Sequence, residues 1–356
     1  VSTVNVGVVG VGNCVSSMVQ GVTHYTAAPD APGLAHPVCA GYAIADIRFT
    51  AAFDVDTAKI GRDLAEAIRV APNNSTRFAE VPSLGVPVAE GILSDGVGRG
   101  TGQRITARGA ATVESVAEHL KLTRTQVLVN FVPAGSQQAS ELYAEAALSA
   151  GCAFVNCLPS VIARSPRWVE RFAAAGLPLL GDDLKSQFGA TLVHRALVEL
   201  LAANGVRLRN TYQLLAGGNM DFVNLQDAER MRTKKDSKAS GLRGADGSAL
   251  LPPESVHVGA DYIPFLADRK LAMIRVEGEG FGGTPVELDL RLSVDDSPSG
   301  AGNALDAVRY LKFALDHGIS GLLDPVAARL MKAVPRPMSE EAAAAGLRDL
   351  LTLRQD

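Results

Sequence analysis

The sequence has few cysteines, few aromatics, no long apolar run and no tract of a single charge, and each shortage removes a class of function. Only four cysteines occur, Cys14, Cys39, Cys152 and Cys157. None forms a C-x-x-C pair or joins a histidine at zinc-ligand spacing, so neither a disulfide scaffold nor a structural zinc module is written here. Small buried thiols of a reducing compartment are the expected role. No uncharged stretch reaches the roughly 18 residues of a membrane span, and no basic leader with a cleavage site precedes the first apolar strand. A cytoplasmic location is expected. The 34 basic and 38 acidic residues are interspersed and give a net charge of −4, without the basic footprint that nucleic acid or an anionic membrane requires. Aromatics make up 5% while Ala, Gly, Val and Leu abound, a balance that lets helices lie close on a sheet and favours an α/β architecture.

What is present divides into parts. A chain of 356 residues exceeds one ordinary core, so two domains are expected. Residues 5–10 (NVGVVG) read as a buried parallel strand, followed by Gly12 and a helix to about residue 21. A polar excursion over 24–43 precedes a second strand at 48–56 and a helix at 57–69. Residues 71–109 read as a Gly-rich surface insertion. Helices at 113–122, 137–150 and 165–175 then alternate with strands at 126–132, 153–158 and 177–181, the signature of a Rossmann-like, doubly wound parallel sheet. Beyond Asp183 come a helix at 189–204, a strand at 208–215 and a charged helical segment at 224–240. Period-2 strands follow at 271–279 and 286–294, predicting a second, α+β domain. Helices at 303–317 and 340–353 return to the first domain. The expected division is 1–183, 184–295 and 296–356.

Gly10-x-Gly12-x-x-Val15 lies between a strand and a helix, where a pyrophosphate-binding turn belongs. Gly10 permits the turn, Gly12 lets backbone approach the phosphates, and the helix N-terminus supplies amide donors and positive potential. Asp54 at the end of the second strand can accept from both ribose hydroxyls, which favours NAD over its 2′-phosphorylated form. Two features depart from the short motif. Val15 replaces the third glycine, and Asp54 lies 44 residues after Gly10, where about 20 is usual. The excursion over 24–43 accounts for the surplus.

Several segments together resemble the bacterial, actinobacterial form of the inositol-1-phosphate synthase family. They are GVGNCVSSMVQGV (10–22), AAFDVD (51–56), FVNCLP (154–159), GDDLKSQFGAT (181–191), GGNMDF (217–222), KKDSK (234–238), DRK (268–270), DSP (296–298) and LMK (330–332), and they stand in the family's order. The resemblance implies a Rossmann-like domain joined to an α+β domain used for oligomerisation as a homotetramer. It also implies bound NAD, a sugar phosphate substrate and, in some members, an ammonium, potassium or divalent ion. The family reaction oxidises C5 of a hexose 6-phosphate, enolises C6, closes a carbocycle and reduces the product, with no net redox change.

Two oxyanions developing beside a phosphate call for several fixed cations in a dry site, and lysine supplies them. By resemblance, Lys234 and Lys332 serve the reacting oxygens, while Lys238 and Lys270 hold the phosphate or polarise the cyclising carbonyl. Asp183 and Asp296 orient these lysines and the C5 hydroxyl, Asp183 also bordering the cofactor. Ser186, Gly189, Ala190 and Thr191 open a helix whose amides bind phosphate, and Asn219 contacts sugar hydroxyls. Gly10, Gly12, Asn13, Cys14, Asp54 and Pro133 belong to the cofactor site, and Asn156 and Pro159 to its nicotinamide end.

Each residue alone has a plainer reading. Lys234, Lys235 and Lys238 suit a solvated helix face, Asp182-Asp183 suit helix capping, and Lys270 suits a surface turn. His194, on an apolar helix, reads as a satisfied core histidine. Joint occurrence in order is what favours the family.

The chain departs from the actinobacterial pattern beside these motifs. DSPNSAG is Asp296-Ser-Pro-Ser-Gly-Ala-Gly302 here, KKISK is Lys234-Lys-Asp-Ser-Lys238, NALP is Asn156-Cys-Leu-Pro159, and SYLPVG is Asn130-Phe-Val-Pro-Ala-Gly135. Glucose 6-phosphate closing to inositol 1-phosphate and fructose 6-phosphate closing to a five-membered cyclitol phosphate both fit retained chemistry with an altered pocket. Outside cyclisation, an NAD-dependent sugar-phosphate dehydrogenase and a non-catalytic NAD sensor are the competing classes.

Overall fold

The computed structural model describes residues 3–227, 230 and 251–352. Strand β1 (Val4–Val9) is almost wholly buried, as a central strand covered on both faces must be. A hairpin of β2 (Val38–Cys39) and β3 (Tyr42–Ala43) precedes β4 (Ile47–Asp54), β5 (Val88–Glu90), β6 (Val127–Asn130), β7 (Ala153–Asn156) and β8 (Pro178–Leu180). Then come β9 (Arg207–Gly217), β10 (Val256–Tyr262), β11 (Arg269–Glu279), β12 (Pro285–Asp295) and the two-residue β13 (Gly321–Leu322). Seven strands form one parallel sheet in the order β13-β8-β7-β6-β1-β4-β5. The strand order reverses beside β1, and ligands of doubly wound sheets bind at such a switch point.

A second sheet has the order β10-β9-β11-β12. β9 and β10 run parallel, whereas β11 is antiparallel to both neighbours. Its inner face, with Leu215, Ala272, Ile274 and Val276, packs with Val198 of the helix Ala190–Ala203. The fold is thus the expected α/β arrangement, with a second sheet added.

The helix Asp296–Asp316 leaves the second sheet and enters the core of the first. Its Ala301, Ala304, Leu305, Val308 and Leu311 share one apolar cluster with Val15, Met18 and Val19 of the helix Asn13–Ala27. Small residues on both helices allow that close approach. The same helix anchors the excursion after Ala27. Arg309, fully buried, donates to the carbonyls of His36, Pro37 and Tyr42 and pairs with Asp306.

Some elements differ from expectation. The region taken as a surface insertion contributes β5 to the sheet edge and a helical turn, Arg99–Gly102. The helix expected over 57–69 shrinks to Leu64–Ala67, because Gly61 has φ +84° and Asp63 caps a new start through Ala65 N. The long helix begins at Asp296, since Pro298 falls in its first turn, where proline costs no hydrogen bond. Of the charged segment 224–240, residues 228, 229 and 231–240 lie outside the described residues. Among the described residues, no helix is long and apolar enough to cross a membrane.

Candidate active site

The turn after β1 is built for a close-lying anion. Gly10 has φ +80°, and a Cβ there would sit 2.7 Å from the Phe131 carbonyl oxygen, so only glycine fits. Gly12 faces open space, with nothing within 4 Å of an added Cβ. The helix Asn13–Ala27 starts at the next residue, and its first-turn amides have no intrahelical partners. A side chain at position 12 would fill this cradle, and a dinucleotide pyrophosphate suits its shape and potential.

Asp54 is more committed to the protein than its sequence position suggests. Its Oδ2 accepts from Val11 N at 2.7 Å, and its Oδ1 accepts from Val55 N at 2.7 Å and Asp56 N at 2.9 Å. A carboxylate has about four acceptor positions, so roughly one is left for a ribose hydroxyl. Its main work here is to weld the glycine turn to β4. Lys59, unmarked in the sequence reading, is buried beside it. Its Nζ donates to Val11 O at 2.8 Å and Asn73 Oδ1 at 3.1 Å, and lies 3.8 Å from Asp54 Oδ2. A lysine 48 residues from the carbonyl it meets leaves no local signal.

Asn13, Cys14, Pro133 and Pro159 line the same cleft. Burial, above all, pushes the Cys14 thiol up to about 12, so it stays protonated and inert. Asn156 does not line the cleft. It is fully buried, receives a hydrogen bond from Asn130, and donates to Leu158 O, Ser160 O and, at 2.7 Å, Asp182 Oδ1. Asp182 in turn accepts from Ile162 N, Ala163 N, Arg164 N and Arg164 Nε. It organises residues 162–164 rather than capping the helix at 190. Burial raises its carboxyl to about 6 against the pull of these donors.

Two lysine–carboxylate pairs meet in the cleft. Lys332 Nζ donates to Asp183 Oδ1 at 2.8 Å, and Lys270 Nζ donates to Asp296 Oδ1 at 2.7 Å. Asp183 and Lys332 sit across a short antiparallel ribbon in which Lys332 N donates to Asp183 O at 2.8 Å. Lys270 belongs to the start of β11, and Asp296 opens the long helix. Four segments far apart in sequence thus bring two cations to a cleft that Gly10 and Gly12 also line.

Asp268, quoted in a motif but given no role, ties these parts together. Its Oδ1 accepts from Asn13 Nδ2 at 3.0 Å, Asn219 Nδ2 at 3.0 Å and Ser297 Oγ at 2.7 Å. Burial raises its carboxyl above the usual range. Asn219 lines the cleft and caps the helix Met220–Asn224 through Asp221 N. Ser186, Gly189, Ala190 and Thr191 line it at the start of the helix Ala190–Ala203. Lys234 and Lys238 lie outside the described residues. His194 is a satisfied core residue, with Nε2 2.6 Å from Thr211 Oγ1. Among the described residues, no group of three His, Cys, Asp or Glu side chains is placed to hold a metal ion.

Residues 189–297 match the family described as myo-inositol-1-phosphate synthase. Across the chain, the inositol-3-phosphate synthase of Corynebacterium glutamicum is 43% identical over 353 residues, 96% of each sequence. The chain belongs to the myo-inositol-1-phosphate synthase family. Among solved structures, the crystal structure of Ari2 aligns with TM-score 0.82 and 33% identity over 100% of both chains. A myo-inositol-1-phosphate synthase-related protein from Thermotoga maritima aligns with TM-score 0.76 and 27% identity over 98% of both. The family match spans the Ser186–Thr191 helix start only in part but holds Asn219, Asp268, Lys270, Asp296 and Ser297. The myo-inositol-1-phosphate synthase assignment therefore rests on the full-length similarity as well as on this stretch.

Proposed function

We propose that this enzyme uses bound NAD+ to close a hexose 6-phosphate into a cyclitol phosphate in the cytoplasm, without net oxidation. The observation that carries the reading is the convergence of Lys332–Asp183 and Lys270–Asp296 on the cleft of the glycine turn. Gly10, Gly12, Asn13, Cys14, Asp54, Pro133 and Pro159 would hold the dinucleotide, and Asn156 would support the nicotinamide end from beneath. When bound, NAD+ supplies a hydride acceptor that later returns the hydride.

The protein's own groups handle charge and protons. Each carboxylate fixes its ammonium in place, so stabilisation of an oxyanion needs no reorganisation during reaction. Lys332 serves the reacting oxygens, and Asp183 beside it orients the C5 hydroxyl. Lys270 holds the phosphate or polarises the carbonyl under attack. The helix start at Ser186, Gly189, Ala190 and Thr191 offers amides to the phosphate, and Asn219 meets sugar hydroxyls. Lys234 and Lys238 complete the cationic set.

Glucose 6-phosphate, closing to an inositol phosphate, is the leading substrate, as the name of the 43% identical relative supports. Fructose 6-phosphate, closing to a five-membered ring, is a second reading. It is favoured because five residues that depart from the actinobacterial pattern, Phe131, Val132, Ala134, Cys157 and Gly300, line the cleft. Incubation with NAD+ and each sugar phosphate, with ring size read by NMR, decides between them. The same assay with ammonium, potassium or magnesium added reads any cation requirement.

For assembly, we assign a homotetramer to the second sheet, whose outer face exposes the neighbouring pair Met273 and Leu214. Sedimentation of wild type and Met273→Glu tests it. The working units remain 1–183, 184–295 and 296–356.

A further inference from the structure

We propose that Lys185, a lysine outside the four assigned to the reaction, is a positioning residue that locks the register of the ribbon carrying Asp183 and Lys332. The inference deepens the cyclase reading and rests on it for its kinetic arm.

The ribbon is short. Asp182 N donates to Ala333 O at 2.9 Å, Ala333 N to Asp182 O at 3.1 Å, Lys332 N to Asp183 O at 2.8 Å, and Lys185 N to Leu330 O at 2.8 Å. Leu184 and Met331 form the bridge between them. Side chains alternate along such a pair, so a slip of one residue would turn Lys332 away from Asp183 and out of the cleft. Asp183 N and Leu184 N also donate to Leu158 O and Cys157 O, which fixes that strand but not its register against 330–333.

Lys185 adds the missing constraint. Its Nζ reaches past the ribbon to donate to Ala328 O at 2.7 Å, a carbonyl in the last turn of the helix Asp324–Leu330. Such carbonyls lack intrahelical partners, and an ammonium suits that helix end. Its own carbonyl accepts from Asn303 Nδ2 at 2.9 Å, from the long helix. One residue thereby fixes the ribbon along its length at Leu330 O and Ala328 O, and against the first domain at Asn303. A shifted register would break the bonds to Leu330 O and Ala328 O together. Lys185 borders the cleft, but its amine is spent on Ala328 O, so it is placed to hold Lys332 in position through the backbone.

The test compares Lys185→Met, which keeps length and loses the donor, with Lys185→Arg, which keeps a long donor. Hydrogen exchange of the apo protein is read at residues 330–333, and kcat, KM and NAD+ affinity are read on the wild type and both variants. The expected result for Lys185→Met is at least about tenfold faster exchange at the Lys332 and Ala333 amides. Its kcat falls about tenfold or more, a size typical of ångström-scale misplacement, while NAD+ affinity stays within about threefold, and Lys185→Arg recovers most of both losses. Unchanged exchange, or a kcat within about twofold of wild type, overturns the inference. Should Lys185→Met not fold, Lys185→Gln is judged by the same criteria. A wild type that forms no cyclitol phosphate defeats the cyclase reading instead, and the exchange arm still decides the role of Lys185.

Discussion

At the residue scale, the site consists of charges held still by other charges. Lys332 has one carboxylate partner 2.8 Å away and Lys270 another at 2.7 Å. Neither lysine needs to be found by substrate, only approached. Lys332→Met should lower kcat for cyclisation by about 10²–10³-fold, the usual loss of an oxyanion-stabilising group. NAD+ affinity measured by fluorescence should change by less than about threefold, since Asp54 and the glycine turn are untouched. Lys185 gives a pH signature. Burial above all, opposed by Glu340 and aided by Arg195, Lys332 and Arg329, lowers its amine from 10.5 to about 8. Between those values the unfolded chain binds the extra proton, so this group makes stability rise as pH climbs from about 8 toward 10.5. Urea denaturation at both ends of that window should show the rise in wild type and a smaller one in Lys185→Met. Asp182 offers a third residue test. Every group around its carboxylate donates, so Asp182→Asn turns an NH2 toward N–H donors and should cost about 1–3 kcal/mol, read as a lowered Tm.

At the element scale, the alternating strands and helices of the first domain were legible because apolar runs and amphipathic periods carry their own signal. The helices Val113–Leu122 and Gln137–Ala150 fall where the sequence pattern puts them. Elements too short to show a period were not legible: β5 has three residues and β13 two. β10 was missed because Gly259 and Asp261 break its pattern, and it forms only against β9. The excursion after Ala27 was visible as surplus length, but not its anchor, since Arg309 contacts residues about 270 positions earlier. Arg309→Met would leave Asp306 with His36 as its remaining side-chain partner, 2.6 Å away and half-buried. Losing one member of a buried pair costs about 3–5 kcal/mol, so thermal unfolding should begin well below wild type. Of the site itself, the glycine turn was legible from its place between a strand and a helix, whereas the pairs Asp183, Lys332 and Lys270, Asp296 were readable only through a resemblance, since spacing alone favoured solvated lysines. Asp182, Lys185 and Asp268 stand in the resembling segments without a site role implied for them, and Lys59 lies outside those segments.

At the scale of the whole molecule, one sheet offers a dinucleotide cradle, a second sheet brings Lys270, and the returning C-terminal segment brings Asp296 and Lys332. Only a folded chain with all three has the cationic cleft. The organisation suits a reaction in which oxidation and reduction happen at one place and cancel. The most direct measurement supplies the wild type with a hexose 6-phosphate and NAD+ at a small fraction of the sugar concentration, following NADH absorbance and product by NMR together. The account predicts many carbocyclic phosphates formed per NAD+, with no accumulating NADH. An open-chain oxidised product formed one for one with NADH would contradict it.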